Sequence, residues 1–205
     1  MSVHQIATVA GVPVSPGVLD AAEARLRAGR GAGGLPVSGT SEGRQLRRWL
    51  TQLIVTQRLV AAEAAARGLS GRGAPSEAEL LPDVTARLEI GSVAAAALAD
   101  PRARALFADV TAAVRVAGTE VAAYHARNPL RFAAPQQGEH GWRTTASAAP
   151  PLDDVRSAIE EHLRGAARRR AFRLWLDERR ATLVELAPGY EHPGDPRQPD
   201  NTHRH

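Results

Sequence analysis

Arg44 to Arg67, RQLRRWLTQLIVTQRLVAAEAAAR, is the longest uninterrupted run of helical pattern in the chain, and it limits what the chain can become. Apolar residues recur at Leu46, Trp49, Leu50, Leu53, Ile54, Leu59, Val60 and Ala64, mostly at the three-and-four spacing of one buried helical face. The same wheel leaves Arg44, Arg47, Arg48, Gln52, Arg58 and Glu63 for water. Gly39, Thr40 and Ser41 offer capping chemistry ahead of it, and Gly68 a left-handed stop behind it. At about 1.5 Å per residue such a helix runs roughly 35 Å, the span of a small domain. A stripe this broad is stable only when other helices pack on it.

Composition bounds the rest. A chain of 205 residues supports one core, with or without an appended tail. Aromatics make up 4% and Met1 is the sole methionine, so the core is built from Ala, Leu and Val, which suits closely packed helices. Cysteine is absent, which excludes disulfides, thiolate metal sites and Cys nucleophiles. Lysine is absent too, so all 26 basic residues are arginine, and Schiff-base chemistry and a Lys-containing phosphate loop are excluded. The net charge of +4 is modest and acids alternate with arginines through most of the chain, which argues against a nucleic-acid partner. The opening MSVHQIATVAGVPVS lacks a basic n-region, and no window approaches ~18 apolar residues, so the expectation is a cytoplasmic protein with no membrane span.

In order, Ile6 to Val14 reads as a short extended segment and Val18 to Ala28 as a first helix, with a Gly-rich loop from Gly29 to Gly39 that carries no GxGxxG or Walker pattern. Ser76 with Glu79 forms a capping box, and Pro82 permits only a first turn or a kink there. Asp100-Pro101 starts a helix bearing Leu106, Phe107, Val110 and Val114. Thr119 to Arg127 is a short helix stopped by Asn128-Pro129. A loop follows, and Asp153 and Asp154 then open a long last helix with the stripe Val155, Ile159, Leu163, Ala167, Ala171 and Leu174, widened by Phe172, Trp175 and Leu183. The expected fold is mainly α: one helical domain over 1–187, with a loop at 133–152, and an irregular Pro/His-rich tail over 188–205.

The order ATVAGVPVS, VAAEAAARGL, EVAAYHARNPLRF and AARRRAFRLWLDERRATLVEL resembles the helical chaperone portion of SurA-type peptidyl-prolyl isomerases. Tyr124, Asn128, Pro129 and Phe132 match a Tyr-x-x-Asn-Pro-x-x-Phe element that in the family leads into the parvulin isomerase domain. The resemblance implies an opening extended segment and a helical domain completed by a C-terminal helix. It also implies what is missing: about twenty loop residues stand where the family carries an isomerase domain of roughly a hundred. The expectation is a scaffold without prolyl isomerase activity.

Site candidates follow from chemistry. The tail GYEHPGDPRQPDNTHRH concentrates His192, His203 and His205 with Asp195 and Asp200, and imidazole with carboxylate suits a divalent metal, although a solvated proline-rich extension has the same composition. Tyr124 and His125 beside the Asn-Pro break, with His140 in the loop, are the acid/base candidates. Trp49, Trp142 and Tyr190 are the aromatic candidates for substrate contact, and His162 reads as solvent-facing. Two function classes compete. One is a protein that binds or tailors a small apolar or aromatic ligand; the tail is similar to small proteins associated with aromatic polyketide pathways, though no residue role transfers. The other is a holdase for unfolded peptide. Adaptable peptide binders favour Met-rich or aromatic surfaces, which this composition lacks, so the small-molecule class leads.

Overall fold

The computed structural model describes residues 5–133, 149–192 and 194, together with the backbone of 136–137 and 143–144. The chain divides into two compact units, Met1–Val110 with Phe172–His205, and Thr111–Ala171. No helix is long and apolar enough to cross a membrane among the described residues.

The first unit begins with a hairpin, β1 (Ala7–Val9) and β2 (Val12–Val14), where the sequence reads as one extended segment. The two-residue connection places Ala10 at φ 48° and Gly11 at φ 78°, the doubly positive pattern of a type I′ turn. Pro16 opens α1 (Pro16–Arg27) at its first turn, where a missing N–H costs nothing. The long helix α2 (Ser41–Ala66) begins on Thr40, whose hydroxyl accepts from the Gly43 N–H. It ends in a Schellman pair, Gly68 N–H to Ala65 O and Leu69 N–H to Ala64 O, with Gly68 at φ 67°. Gly43 is obligatory for a different reason: a Cβ there would collide with the Val37 carbonyl oxygen.

The Ser76–Glu79 capping box forms in full and starts the single turn α3 (Glu77–Leu80). Pro82 separates it from α4 (Val84–Ile90), capped by Asp83, and α5 (Ser92–Ala97) follows directly. Asp100 caps α6 (Pro101–Val110) by accepting from Arg102 N–H. In the second unit, α7 (Gly118–Arg127) precedes the two-residue strands β3 (Gln136–Gln137) and β4 (Arg143–Thr144). The last helix, α8 (Leu152–Leu183), runs out of this unit into the first, and β5 (Val184–Leu186) returns antiparallel to β1, so the sheet order is β2-β1-β5. The second unit has its own small core, Val121, Val155 and Ile159, edged by Tyr124 and Phe132.

The core of the first unit contains Leu50, Val55, Leu59 and Ala64 of α2, Ile6, Val9 and Val14 of the hairpin region, Leu106 and Phe107 of α6, and Phe172 and Leu176 of α8. Phe107 and Phe172 meet at 5.0 Å between centroids, and Phe172 stacks on Trp175. Leu174, expected in the buried stripe, is 55% exposed, because the face of α8 turned to this core runs through 172 and 176 instead.

Three of the six residues of α2 expected to face water are buried instead. Arg48, Gln52 and Glu63 are 6%, 1% and 8% exposed. Arg48 Nε donates to Gly189 O, Gln52 Nε2 to Tyr190 O, and Glu63 takes Arg179 and Arg67. With Thr56 these residues form a polar seam at i, i+4, i+8 and i+15, every member tied to the chain's own later residues or to Arg67. A helical wheel cannot distinguish a solvated polar face from one buried by pairing.

Glu23 of α1 gathers Arg27, Arg47 and Ser38, which fastens α1 and the Gly-rich loop to α2. Burial pushes the Glu23 carboxyl up, but the hydrogen bonds and charges of Arg27 and Arg47 outweigh it and the net direction is down. A depressed carboxylate stabilises the fold fully above its unfolded pKa, about 4.3, and this is lost as pH falls through the lower folded value. Glu23→Gln should therefore flatten the acid limb of a stability-against-pH curve between the unfolded value and the lower folded one, and an unchanged acid limb would remove Glu23 from the account. In the core, Leu59 is fully buried whereas Leu53 is only half-buried. Leu59→Ala should cost about 2–5 kcal/mol and clearly more than Leu53→Ala, as read by urea unfolding.

Candidate functional site

In its last twelve residues α8 carries Arg173, Leu176, Asp177 and Arg180 at i, i+3, i+4 and i+7, one face of a helix. Facing them are Gln52 and Thr56, one turn apart on α2, and the joint between α4 and α5. Gly91 makes that joint at φ 89° and ψ 148°, a region essentially reserved for glycine, so that one residue both ends α4 and starts α5. The three elements enclose a pocket of about 340 Å³ within the first unit. Ile90, Val93, Ala94 and Leu176 give it an apolar side, and His192 stands on its lining beyond β5.

The polar side centres on Arg180. Its Nη1 donates to Thr56 Oγ1 at 2.8 Å and its Nη2 to Gln52 Oε1, and both acceptors are neutral. Gln52 is held in turn by Tyr190 O, which fixes which end of its amide meets the guanidinium. Burial pulls the Arg180 guanidinium below its usual value, with the Asp177 carboxylate nearby opposing the shift without cancelling it. Arg173 is exposed and donates to Glu89 O at 3.2 Å. Among the described residues, no carboxylate stands within ion-pairing distance of Arg173 or Arg180.

The residues expected from the sequence distribute differently. Trp49 packs half-buried on the first core and donates from Nε1 to Ser92 Oγ at 3.3 Å, so it braces a pocket residue without lining the pocket. Tyr190 likewise packs on that core and serves Gln52 through its main-chain oxygen. His192 is exposed, its Nδ1 accepting from Gly194 N–H at 3.0 Å. Trp142, His140, His203 and His205 lie outside the described residues. No group of three or more His, Asp or Glu side chains gathers as a metal site among the described residues.

Tyr124 and His125 lie in the second unit and turn to different partners. Tyr124 Oη is 3.3 Å from His162 Nε2, and Phe132 packs edge-on against both rings. His162 is therefore half-buried in an aromatic cluster and does not face solvent as expected, because the Asn128-Pro129 break folds Phe132 back onto it. His125 Nε2 donates to the Pro150 carbonyl at 3.0 Å, a tie that anchors the start of α8. Tyr124 also borders a second pocket of about 340 Å³, with Glu120, Arg115 and Arg127 on its polar side.

Sequence reasoning missed Gln52, Thr56, Arg173 and Arg180. The available signal was the i, i+3, i+4, i+7 run Arg173–Leu176–Asp177–Arg180, which mixes apolar and charged residues on one face and so matches neither a core stripe nor a solvated one.

A family model described as a family of unknown function (DUF7158) matches residues 5–42. These residues make the hairpin, α1 and the Gly-rich loop up to the first residues of α2. No curated protein and no solved structure matches the chain.

Tyr124→Phe keeps the ring packing and deletes only the hydroxyl contact to His162. It should lower stability by about 0.5–1.5 kcal/mol in chemical denaturation, and an unchanged midpoint would show that the hydroxyl contact contributes nothing.

Proposed function

We propose that this chain is a small-molecule-binding protein whose site is the pocket of the first unit. The observation that carries this reading is the division of one concave surface into an apolar side, Ile90, Val93, Ala94 and Leu176, and a polar side converging on Arg180. Small-molecule sites usually take this form, mostly apolar with a few oriented polar groups, and about 340 Å³ lies at the small end of their ~300–1,000 Å³ range. The walls are set by the chain's own contacts: Gly91 sets one, and the Gln52–Arg180–Thr56 contacts set the other. A helical scaffold of SurA type without its isomerase domain is the setting we propose. What supports it is the way the opening hairpin is completed by β5 and the end of α8.

A peptide holdase is the second reading. It is favoured by Val84 and Leu88, one turn apart on α4 and 71% and 75% exposed. The pocket outranks it because two exposed apolar side chains present little surface for capturing unfolded chains.

Thermal-shift and native mass spectrometry against decanol, decanoate, 2-naphthol and 2-naphthoate test the choice. At least one compound should bind one per chain in wild type and be lost in Val93→Trp, which fills the pocket from its half-buried wall. No binding by any of the four would overturn the reading. Suppression of citrate synthase aggregation, abolished by Val84→Asp with Leu88→Asp, would then put the holdase first.

A further inference from the structure

The charge balance of this pocket says which ligands it suits. Resting on the reading above, we infer that the ligand is a small organic acid, its carboxylate received by Arg180 and its apolar body laid against Ile90, Val93 and Leu176.

The argument starts from donors. A guanidinium carries five N–H groups and no acceptor, and Arg180 gives one to Thr56 and one to Gln52. Three remain, on a group held in place at both Nη atoms. Removing a cation from water is costly unless a paired anion compensates it, and neutral amide and hydroxyl oxygens compensate only in part. The lowered pKa of Arg180 points the same way.

The surrounding charges support an anion. Arg173 sits two turns back on the same face of α8, and only Asp177 opposes the two arginines among the carboxylates lining the pocket. Asp177 is exposed, so water screens it more than it screens the half-buried Arg180. The balance of these three groups is one positive charge facing the space beside Arg180. The planar fork of arginine matches the two oxygens of a carboxylate, and such charge-assisted pairs are about twice as strong as neutral ones. Free phosphate would satisfy the fork but leave the apolar side facing water. The apolar side makes the acid an organic one.

The test is calorimetric titration of the full chain with 4-phenylbutyrate, with 4-phenylbutyramide, and with inorganic phosphate. The acid should bind about tenfold or more tightly than the amide, since the amide replaces a charged acceptor by a neutral one. Arg180→Gln should bring acid and amide level, and Arg180→Lys should restore part of the preference because the charge stays while the fork is lost. Arg173→Gln, at an exposed position, should reduce the preference by a smaller factor. The acid–amide comparison in wild type needs no variant, so it stands even if Arg180→Gln does not fold. Equal binding of acid and amide, both blocked by Val93→Trp, would overturn the carboxylate assignment and leave the pocket as a small-molecule site. Phosphate binding as tightly as the acid would overturn the organic-acid class. Silence from both acid and amide would overturn the inference, while decanol or 2-naphthol binding would separately keep the pocket reading alive.

Discussion

Gln52 holds the first unit together at its most expensive point. It is an amide 1% exposed in the middle of α2, and a buried amide left unsatisfied costs about 1–3 kcal/mol. Its two ends are met by groups 138 and 128 residues away, the Tyr190 carbonyl and the Arg180 guanidinium. Arg180 is itself satisfied on one side only through Gln52 and Thr56. Each of these groups would be penalised without the others, so α2, the end of α8 and the segment beyond β5 that carries Tyr190 are fixed as a set. Hydrophobic burial brings α2 into the core, but the polar seam selects which later segment lies along it.

Local chemistry was legible in the sequence. Thr40, Ser76 with Glu79, Asp100 and the Gly68 stop all form as their residue types predict, because a cap needs only residues within one turn of it. The mainly helical architecture followed from periodicity for the same reason. The hairpin was half legible. Ala10-Gly11 is a weaker turn signal than Asn-Gly, and a non-glycine residue at φ 48° is not suggested by its side chain. β5 follows the last helix without a break, and its strand state comes from pairing with β1, more than 170 residues earlier, which no local pattern carries.

The candidate site was not legible, and the reason is physical. Its residues are polar side chains on helices whose periodicity assigns them to water, and only the identity of the facing segment converts them into a buried network. Arg48, Gln52 and Glu63 look no different on a wheel from Arg44 or Arg58, which the structure does leave exposed or half-buried. Two of the aromatic candidates are placed by packing. Trp49 and Tyr190 carry apolar area that the core consumes; the Trp49 indole N–H braces Ser92, and Tyr190 meets Gln52 through its main-chain carbonyl.

The pocket and the seam share residues, and this sets a limit on how the site can vary. Gln52 and Thr56 hold α8 against α2 and also aim Arg180, so changing either to reshape the pocket risks the joint itself. The opposite side is freer. Val93 is half-buried on a six-residue helix, and Ser92 is exposed, its hydroxyl taking the Trp49 indole N–H. On the proposed reading, a pocket arranged this way keeps its charge recognition on residues that the fold fixes and leaves most of its apolar side open to change. On that reading, recognition of the anionic group rests on α2 and α8, and recognition of the ligand's body rests mainly on the α4–α5 joint, with Leu176 of α8 the one shared contribution.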